Sequence, residues 1–291
     1  MTEIAAHDFH LVLSPSQGGA VDALQWRGID LLCPTRAPSH GAISAPTDRA
    51  GFPLVPFSGR ISGSQFVFQD QTIKLTPNFL PEPNAIHGFG WHQPWLVTEQ
   101  SAASVTLSHR FDTPEWPASY LATQTFTLSE TALELEMTLT NTGTRAMPAG
   151  LGWHPYFVAA GAHIQSHVGA IWRPENAQAT PQPEALGKAD DLNTRQAVET
   201  LALDHCFSST QAETVLDWPD RGLRIRMTAS DIFGAFVLYT PKGEAYFCAE
   251  PISHVPDAVN LPNPPSETGL RLLKPSETLA GSIKIEPSRS G

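Results

Sequence analysis

The clearest alternation of hydrophobic and polar residues lies between Leu133 and Asn141. Leu133, Leu135, Met137 and Leu139 occupy every second position, with glutamate or threonine between them. This period of two places one face of a strand against a core and the other face in water, as in an antiparallel sheet. The segment is therefore predicted to be a half-buried β-strand.

Short apolar segments of the same kind recur along the chain, separated by turn residues. The predicted strands are 7–13, 20–26, 29–32, 94–100, 105–111, 120–129, 164–172, 215–218, 223–229, 235–239 and 246–250, with a hairpin over 65–75 and a closing turn and strand over 270–286. Hardly any segment has a helical period over three turns. Many short strands at intervals of about ten residues favour a sandwich or barrel. Because the sequence has no internal repeat and no break in composition, we expect one all-β domain over residues 1–291, a large antiparallel β-sandwich.

Three regions are predicted to lie outside the regular strands. Residues 34–48 and 174–192 are poor in apolar residues and contain several prolines, so they are expected to form surface loops. The segment Phe52–Ile61 is apolar but contains two prolines, which argues against a helix or a central strand. We expect it to form an ordered loop that presents Arg60.

Composition restricts the compartment and the partners. The 291 residues carry a net charge of −11, which argues against a nucleic acid or an anionic membrane as a partner. The number of cysteines is three, which is odd, and their spacing does not resemble a metal motif, so reduced thiols in a cytoplasmic protein are expected. No apolar run is long enough to span a bilayer. The composition does not indicate an oligomeric state.

The first stretch that can carry chemistry is Gly150–Phe157, which reads Gly-Leu-Gly-Trp-His-Pro-Tyr-Phe. It sets one imidazole, that of His154, among aromatic rings on which a sugar ring could stack. Pro155 restricts the residue before it to an extended conformation, so we expect His154 at the end of a strand. A core histidine in an aromatic cluster is the alternative, because cores and pockets use the same residue types.

The second stretch is the predicted strand that ends at Glu250. A period of two places Tyr246, Cys248 and Glu250 on one face, and Pro251 is expected to end the strand directly after the carboxylate. A carboxylate in apolar surroundings has a raised pKa and can act as a general base near neutral pH. The alternative is an ion pair with an arginine.

Five polar residues lie at the edges of apolar segments and can converge on one pocket. They are Arg60, His87, His154, Asp204 and Glu250. A metal site made of His87, His92 and His154 is conceivable, but the spacing matches no metal motif, so no metal is predicted. The sequence also lacks a phosphate-binding loop, a dinucleotide fingerprint and a nucleophile elbow. No cofactor is therefore expected.

Several motifs, in this order, resemble those of the aldose 1-epimerase (galactose mutarotase) family. They are Pro56-Phe57-Ser58-Gly59-Arg60-Ile61, Asn84-Ala85-Ile86-His87-Gly88, Trp153-His154-Pro155-Tyr156-Phe157, Ala249-Glu250-Pro251 with Pro256-Asp257-Ala258-Val259-Asn260, and Leu272–Leu279. His-Pro-Tyr-Phe is the most specific of them. The sequence departs from the family at Gly59, where an asparagine is usual, and so it lacks one hydrogen-bonding side chain.

The resemblance implies a β-sandwich with an open sugar-binding cleft. It implies a general base at Glu250 and a general acid at His154, with Arg60, His87 and Asp204 binding the hydroxyls of a small-molecule sugar. The implied reaction interconverts the α and β anomers of a free aldohexose, and one acid and one base suffice for it. The residue pattern is chemically compatible with this reaction.

Two alternatives remain open at the level of the sequence. One is a sugar-binding protein on the same fold that has no catalytic activity. The other is a glycoside hydrolase, which needs two carboxylates beside a glycosidic bond, and Asp204 and Glu250 could be such a pair. The preferred aldose, and whether a phosphorylated sugar is accepted, do not follow from the residues.

Overall fold

The computed structural model describes residues 1–36, 46–175, 178–179 and 182–289, and within these ranges the regular structure is almost entirely β-strand. The first strands are β1 (Thr2–Ala6), β2 (Phe9–Ser14), β3 (Ala20–Trp26), β4 (Ile29–Asp30), β5 (Gly51–Leu54), β6 (Arg60–Ile61), β7 (Gln65–Phe68), β8 (Gln71–Lys74), β9 (Ala85–Ile86), β10 (Leu96–Gln100), β11 (Ser104–Phe111), β12 (Tyr120–Leu128) and β13 (Leu133–Asn141). They are followed by β14 (Met147–Ala149), β15 (Gly152–Val158), β16 (His163–Trp172), β17 (Pro174–Glu175), β18 (Gln178–Ala179), β19 (Glu184–Ala185), β20 (Gln196–Ala197), β21 (Asp204–Trp218), β22 (Leu223–Ala229), β23 (Ala235–Tyr239), β24 (Tyr246–Ile252), β25 (Arg271–Leu273) and β26 (Thr278–Arg289).

The helical structure within the described ranges is short. It consists of α1 (Pro265–Thr268) and the 3₁₀ turns Pro46–Asp48, Ser62–Ser64, Val198–Thr200 and Pro219–Arg221. None of these helices has the length or the apolar character needed to cross a membrane.

The strands form two antiparallel layers that share one core. One layer runs β1-β2-β3-β5-β15-β24-β23-β21, and the other runs β21-β22-β26-β13-β12-β11-β10. Leu11 and Phe157 from the first layer and Phe126 and Ile283 from the second belong to the same buried cluster. The all-β, antiparallel sandwich is thus confirmed, and β13 has the predicted alternation of buried and exposed positions.

The long strand β21 belongs to both layers. Its first five residues pair with β23, and its last six pair with β22. On its other edge it pairs with β16, and this pairing contains two register shifts. Such bulges bend a strand and let it pass from one sheet to the other. The sequence predicts only an apolar piece near Asp204 and a strand over 215–218, because the residues between them are polar. The structure joins the two pieces into one strand.

Two prolines lie inside strands instead of ending them, contrary to expectation. β15 and β24 are paired at both ends of their contact. They are not paired in the middle, where Trp153–Pro155 of β15 faces Ala249–Pro251 of β24. Both prolines fall in this gap, so their missing N–H groups break the ladder only there. His154 consequently lies in the middle of β15, not at its end, and Glu250 lies directly opposite it in the register.

The prediction that the whole of Phe52–Ile61 is a loop is also wrong, because Gly51–Leu54 forms β5. This strand pairs along its length with β15, whereas its pairing with β3 is limited to Gly51 opposite Val21. Among the described residues, Pro53 has a strand partner on one side only, which is the situation in which a sheet tolerates proline. Arg60 lies in the short strand β6, which pairs with β9.

The two predicted surface loops are only partly described. Residues 37–45, 176–177 and 180–181 fall outside the described ranges. The described part of 174–192 contains the two-residue strands β17, β18 and β19 and turns.

Candidate active site

The outer face of the first layer forms the floor of a cavity of about 570 Å³. This volume is within the usual range for small-molecule sites. The floor comes from β5, β15, β24, β23 and β21, and loops from the rest of the chain form the walls. All five residues singled out from the sequence line this one cavity: Arg60, His87, His154, Asp204 and Glu250.

Strand alternation decides which aromatic residues of Gly150–Phe157 reach the cavity. Trp153 and Phe157 point to the opposite face and are fully buried in the core between the layers. His154 and Tyr156, on the other face of β15, line the cavity. Trp153 and Phe157 therefore support the strand from the core side. Of the three aromatic rings in this stretch, only that of Tyr156 can meet a ligand.

His154 and Glu250 form a close pair on the cavity floor. Nε2 of His154 lies 3.3 Å from Oε1 of Glu250, and both side chains are less than a tenth exposed. The two residues sit on neighbouring strands at the gap in the ladder between β15 and β24. The pair is therefore held by two strands and not by mobile loops.

Burial shifts the two pKa values in opposite directions. Loss of solvation raises the pKa of Glu250 well above its usual value; the charge of Asp204 adds to this and that of Arg60 opposes it. Loss of solvation lowers the pKa of His154, and the nearby charge of Arg36 lowers it further. Burial therefore favours the neutral forms of both groups, the protonated carboxyl group of Glu250 and the unprotonated imidazole of His154.

A row of stacked rings orients the imidazole of His154. Its ring centroid lies 4.5 Å from that of Phe52 and 4.9 Å from that of Tyr156, with interplanar angles of 24° and 25°. Trp91 extends the row beyond Phe52 at 5.2 Å, and the guanidinium of Arg36 lies 4.3 Å from the Tyr156 ring centre. Nδ1 of His154 is buried without a hydrogen-bond partner in the described structure. Contacts with two stacked rings thus fix the imidazole, and its Nε2 meets Glu250.

The backbone of Gly59 determines the tautomer of His87. The N–H of Gly59 donates to Nδ1 of His87 at 3.2 Å, and the N–H of His87 donates to the carbonyl of Gly59 at 2.9 Å. Burial lowers the pKa of His87 well below its usual value, and the charges of His154 and Arg60 act in the same direction. The ring is therefore neutral, with its proton on Nε2, and can donate one hydrogen bond to a ligand.

Arg60 is held by a carboxylate beside the cavity. Its Nε donates to Oε2 of Glu82 at 2.8 Å, while Oε1 of Glu82 accepts from the backbone and side-chain amides of Asn84. Asn84 in turn accepts from the N–H of Gly63, and Asp257 accepts from the N–H of Ser62. These bonds fix the turn that follows Arg60. The motifs that contain Asn84 and Asp257 therefore support the arginine motif structurally.

Asp204 occupies a different environment from the other four residues. It is exposed, at the first position of β21, and its register partner on β23 is Tyr239. Both residues line the cavity. An ionised carboxylate at such a rim can accept hydrogen bonds from hydroxyl groups of a bound ligand.

Three further residues that line the cavity were not predicted from the sequence as site residues: Arg36, Phe52 and Trp91. The guanidinium of Arg36 lies 4.3 Å and 4.4 Å from the rings of Tyr156 and Tyr246 and donates to the carbonyl of Thr47. Nothing in its polar sequence context distinguishes this arginine. The apolar run beginning at Phe52 was a usable signal, but its register against His154 appears only in the folded sheet.

One group of possible metal ligands exists among the residues that the structure describes. His154, Cys248 and Glu250 each offer a ligand atom, and these atoms lie within 4.8 Å of one another. This group differs from the trio His87, His92 and His154 considered from the sequence. Cys33, Cys206 and Cys248 are all free thiols and buried.

Comparison with known proteins identifies the family. Residues 3–286 match the family model "Aldose 1-epimerase". The uncharacterised protein YphB of Escherichia coli K12 is 29% identical over 279 residues, which cover 92% of each protein. A maltose epimerase of Levilactobacillus brevis is 34% identical over 140 residues, covering 41% of this chain and 40% of that protein.

A solved structure shares the fold. It is that of a galactose mutarotase-like protein from Clostridium acetobutylicum, which superposes with a TM-score of 0.86 at 20% identity over 99% of this chain and 94% of that one. The sandwich architecture is thus common to both proteins. Because the family model matches nearly the whole length of the sequence, the chain belongs to the aldose 1-epimerase family.

Proposed function

We propose that the protein is a mutarotase, an isomerase that interconverts the α and β anomers of a free aldohexose without a cofactor. The observation that carries this proposal is the buried pair on the cavity floor, with Nε2 of His154 3.3 Å from Oε1 of Glu250. Membership of the aldose 1-epimerase family supports the same reaction class.

The pair matches the chemistry at the anomeric carbon. Glu250 takes the proton of the C1 hydroxyl while His154 donates a proton to the ring oxygen, and the bond between C1 and the ring oxygen breaks to leave an aldehyde. Both oxygens are bonded to the same carbon, so they can meet two side chains that lie next to each other. Rotation about the C1–C2 bond and the reverse proton transfers then close the ring on the other face.

Each turnover passes through two protonation states of the pair, and burial favours the second of them. Ring opening starts from a carboxylate and an imidazolium and ends with a carboxylic acid and a neutral imidazole. Ring closure starts from that second state, which is the one that burial favours in the empty site. One proton is present on the pair before and after each step, so no cofactor and no proton from solvent is required.

Three residues of the cavity are proposed to bind the sugar hydroxyls. Arg60 and neutral His87 offer hydrogen-bond donors, and Asp204 offers an acceptor at the rim. The ring of Trp91 offers an apolar face, on which the C–H groups of a pyranose could pack.

The test is polarimetry of freshly dissolved α-glucose, α-galactose and maltose with the wild-type protein and Glu250→Gln. Maltose is included because the partial likeness to a maltose epimerase raises the question of a disaccharide substrate. The amide keeps the size of Glu250 but cannot accept a proton, so the rate should fall by roughly two to four powers of ten. This loss corresponds to about 3–5 kcal/mol of transition-state stabilisation.

The controls separate loss of catalysis from loss of binding. Sugar should still bind to Glu250→Gln, measured by calorimetry, because Arg60 and His87 remain. Glu134→Gln, on the exposed side of β13, should keep the wild-type rate. Wild-type turnover by folded Glu250→Gln on every aldose tried would rule out this assignment of the base.

The matching substitution at His154 tests whether acid and base act together. His154→Gln should also remove most of the activity, and the double variant should be little slower than either single one, because both groups serve the same ring-opening step. Additive losses would show that the two residues act independently.

The same assays distinguish the other two functions considered from the sequence. Sugar binding by the wild type without any acceleration of mutarotation would indicate a non-catalytic sugar-binding protein. Release of sugar from an aryl glycoside would indicate a glycoside hydrolase. The geometry favours the mutarotase, since the close partner of Glu250 is an imidazole and Asp204 is exposed.

A further inference from the structure

The thiol of Cys248 is a ligating group beside the His154–Glu250 pair, and the proposed reaction does not use it. Cys248 is fully buried, on the same face of β24 as Glu250. One ligand atom from each of His154, Cys248 and Glu250 lies within 4.8 Å of the other two. We propose that these three side chains form an inhibitory zinc site, which binds Zn²⁺ in place of sugar and stops proton transfer.

The spacing of the three groups fits a tetrahedral ion. With Zn–N, Zn–O and Zn–S bonds of about 2.0–2.3 Å, the ligand atoms around zinc lie roughly 3.3–3.8 Å apart. The pair His154–Glu250 already has a separation of 3.3 Å. The remaining atoms, within 4.8 Å, need to approach by at most about 1–1.5 Å, which side-chain rotation of cysteine or glutamate can supply.

The strand pairing holds these ligands in advance. Glu250 lies opposite His154 across β24 and β15, and Cys248 lies two residues from Glu250 on the same strand. Three ligands come from protein, and the cavity in front of His154 and Glu250 leaves the fourth position open to water. Sites placed on strands keep their geometry better than sites placed on loops.

The chemistry of the set selects zinc over the hard cations. A thiolate and an imidazole are suitable ligands for zinc, whereas magnesium and calcium require oxygen ligands. On binding, the thiol of Cys248 and the protonated carboxyl group of Glu250 each release a proton to solvent, and the thiolate and carboxylate together neutralise the two positive charges of the ion. The buried complex therefore carries no net charge, which removes the main cost of placing a dication at this depth.

Occupation of the site would block the proposed chemistry directly. The metal takes up the Nε2 lone pair of His154 and the carboxylate of Glu250, so neither group can exchange a proton with a sugar. Zinc and sugar would compete for the same atoms. Metal binding itself does not depend on the proposed mutarotase activity, so it can be measured even if that activity is absent.

The direct test uses Co²⁺ as a spectroscopic substitute for zinc on the full chain. The wild type should bind one cobalt ion with a thiolate-to-cobalt charge-transfer band and the visible bands of a tetrahedral ion, and Zn²⁺ should displace it. Cys248→Ala should lose the charge-transfer band, while Cys33→Ala, which removes another buried free thiol outside the trio, should retain it. Absence of the band in the wild type, or its persistence in Cys248→Ala, would overturn the proposal.

Two further variants keep the result unambiguous. If Cys248→Ala does not fold, as judged by near-ultraviolet circular dichroism, Cys248→Ser replaces it, because a hydroxyl is a poor zinc ligand of similar size. If Cys206→Ala lost the charge-transfer band and the Cys248 variants kept it, the thiolate ligand would be Cys206, and the proposed site would be refuted. Loss of a residue that hydrogen-bonds to a metal ligand weakens metal affinity by roughly tenfold or more. Loss of a direct ligand should weaken it by at least as much.

The activity test follows mutarotation in metal-free buffer. Zinc should inhibit the wild type and Cys33→Ala competitively with sugar, a chelator should restore the rate, and magnesium should have no effect. Cys248→Ala, compared with its own uninhibited rate, should need at least about tenfold more zinc for the same inhibition. Equal sensitivity of the two variants would contradict the site even if cobalt binds elsewhere.

Discussion

The imidazole of His154 is oriented by packing and not by a hydrogen bond to its second nitrogen. Phe52 and Tyr156 both stack against the ring, and Nδ1 has no partner in the described structure. A catalytic histidine often relies on a hydrogen bond at the second nitrogen to hold its position. We expect the orientation here to depend on residues outside the proposed acid–base pair.

The substitution Phe52→Leu tests this dependence. Offset aromatic pairs contribute about 0.5–1.5 kcal/mol beyond area burial, so loss of the stacked ring should lower kcat by up to roughly tenfold. KM should change less, because Phe52 is not among the proposed hydroxyl-binding residues. Steady-state mutarotation over a range of sugar concentrations gives both constants.

The matched control for this variant is Phe126→Leu. Phe126 is fully buried in the shared core, on β12 and away from the cavity. Its loss should lower the melting temperature and leave kcat unchanged. Equal kcat values for the two variants and the wild type would mean that stacking does not orient His154.

At the scale of elements, the gap between β15 and β24 creates the site. Prolines at 155 and 251 interrupt the ladder at the point where His154 faces Glu250. β5 supplies Phe52 from the other side of β15, directly opposite His154 in the register. Three neighbouring strands thus bring the stack and the carboxylate to one imidazole. The groups proposed to bind sugar come from β6, from the loop after β9 and from the start of β21.

The turn at Gly59 is a second element with a strict local requirement. Gly59 has a φ of +69°, and a Cβ there would lie 2.7 Å from Cβ of Pro256. Gly59→Ala should destabilise the fold by about 1–2 kcal/mol for the left-handed backbone alone, with the clash in addition. Because the N–H of Gly59 anchors His87, KM for sugar should rise more than kcat falls.

Gly243→Ala is the control for the Gly59 variant. Gly243 also has a positive φ, of +82°, but a Cβ there would meet nothing within 4 Å. Gly243→Ala should lower the free energy of unfolding, measured in urea, by the cost of the left-handed backbone, and it should leave KM unchanged. A Gly59→Ala protein with wild-type KM would show that the contact with His87 does not affect sugar binding.

At the scale of the whole molecule, buried neutral histidines make the fold sensitive to acid. Burial lowers the pKa of His87, His109, His154 and His254, the last to about 4. Their contribution to stability is complete above the unfolded pKa of about 6.5 and is lost as pH falls towards the folded values. Glu250, whose pKa is raised, acts in the opposite direction and is outnumbered.

The free energy of unfolding should therefore fall between pH 7.5 and pH 5, measured by urea denaturation. His254 alone should contribute roughly 2 kcal/mol between pH 6.5 and 5, at about 1.4 kcal/mol per pKa unit. It donates from Nδ1 to the carbonyl of Val255 and accepts from the N–H of Ser58 at Nε2, so the fold uses the neutral ring.

Two glutamine variants identify the source of the pH dependence. His254→Gln should reduce the difference between the two pH values, whereas His7→Gln, at an exposed position, should leave it unchanged. A stability that is flat from pH 7.5 to pH 5 in the wild type would contradict the account.

The sequence by itself determined the fold class and the two residues of the close pair on the cavity floor. Alternation along β13 depends only on neighbours in the chain, so its buried and outward faces follow directly from it. The motif residues could be found for the same reason, since each lies in a recognisable local context.

Tertiary structure decided how these residues meet. The stacking of Phe52 on His154, the approach of Arg36 to Tyr156 and the continuity of β21 join segments that are far apart in the chain. Such contacts depend on which strands pair and in which register, and pairing is a property of the whole sheet that local periodicity does not specify. The prolines illustrate this as well, because Pro155 and Pro251 leave a gap in the ladder between β15 and β24 while pairing on both sides of the gap continues the strands.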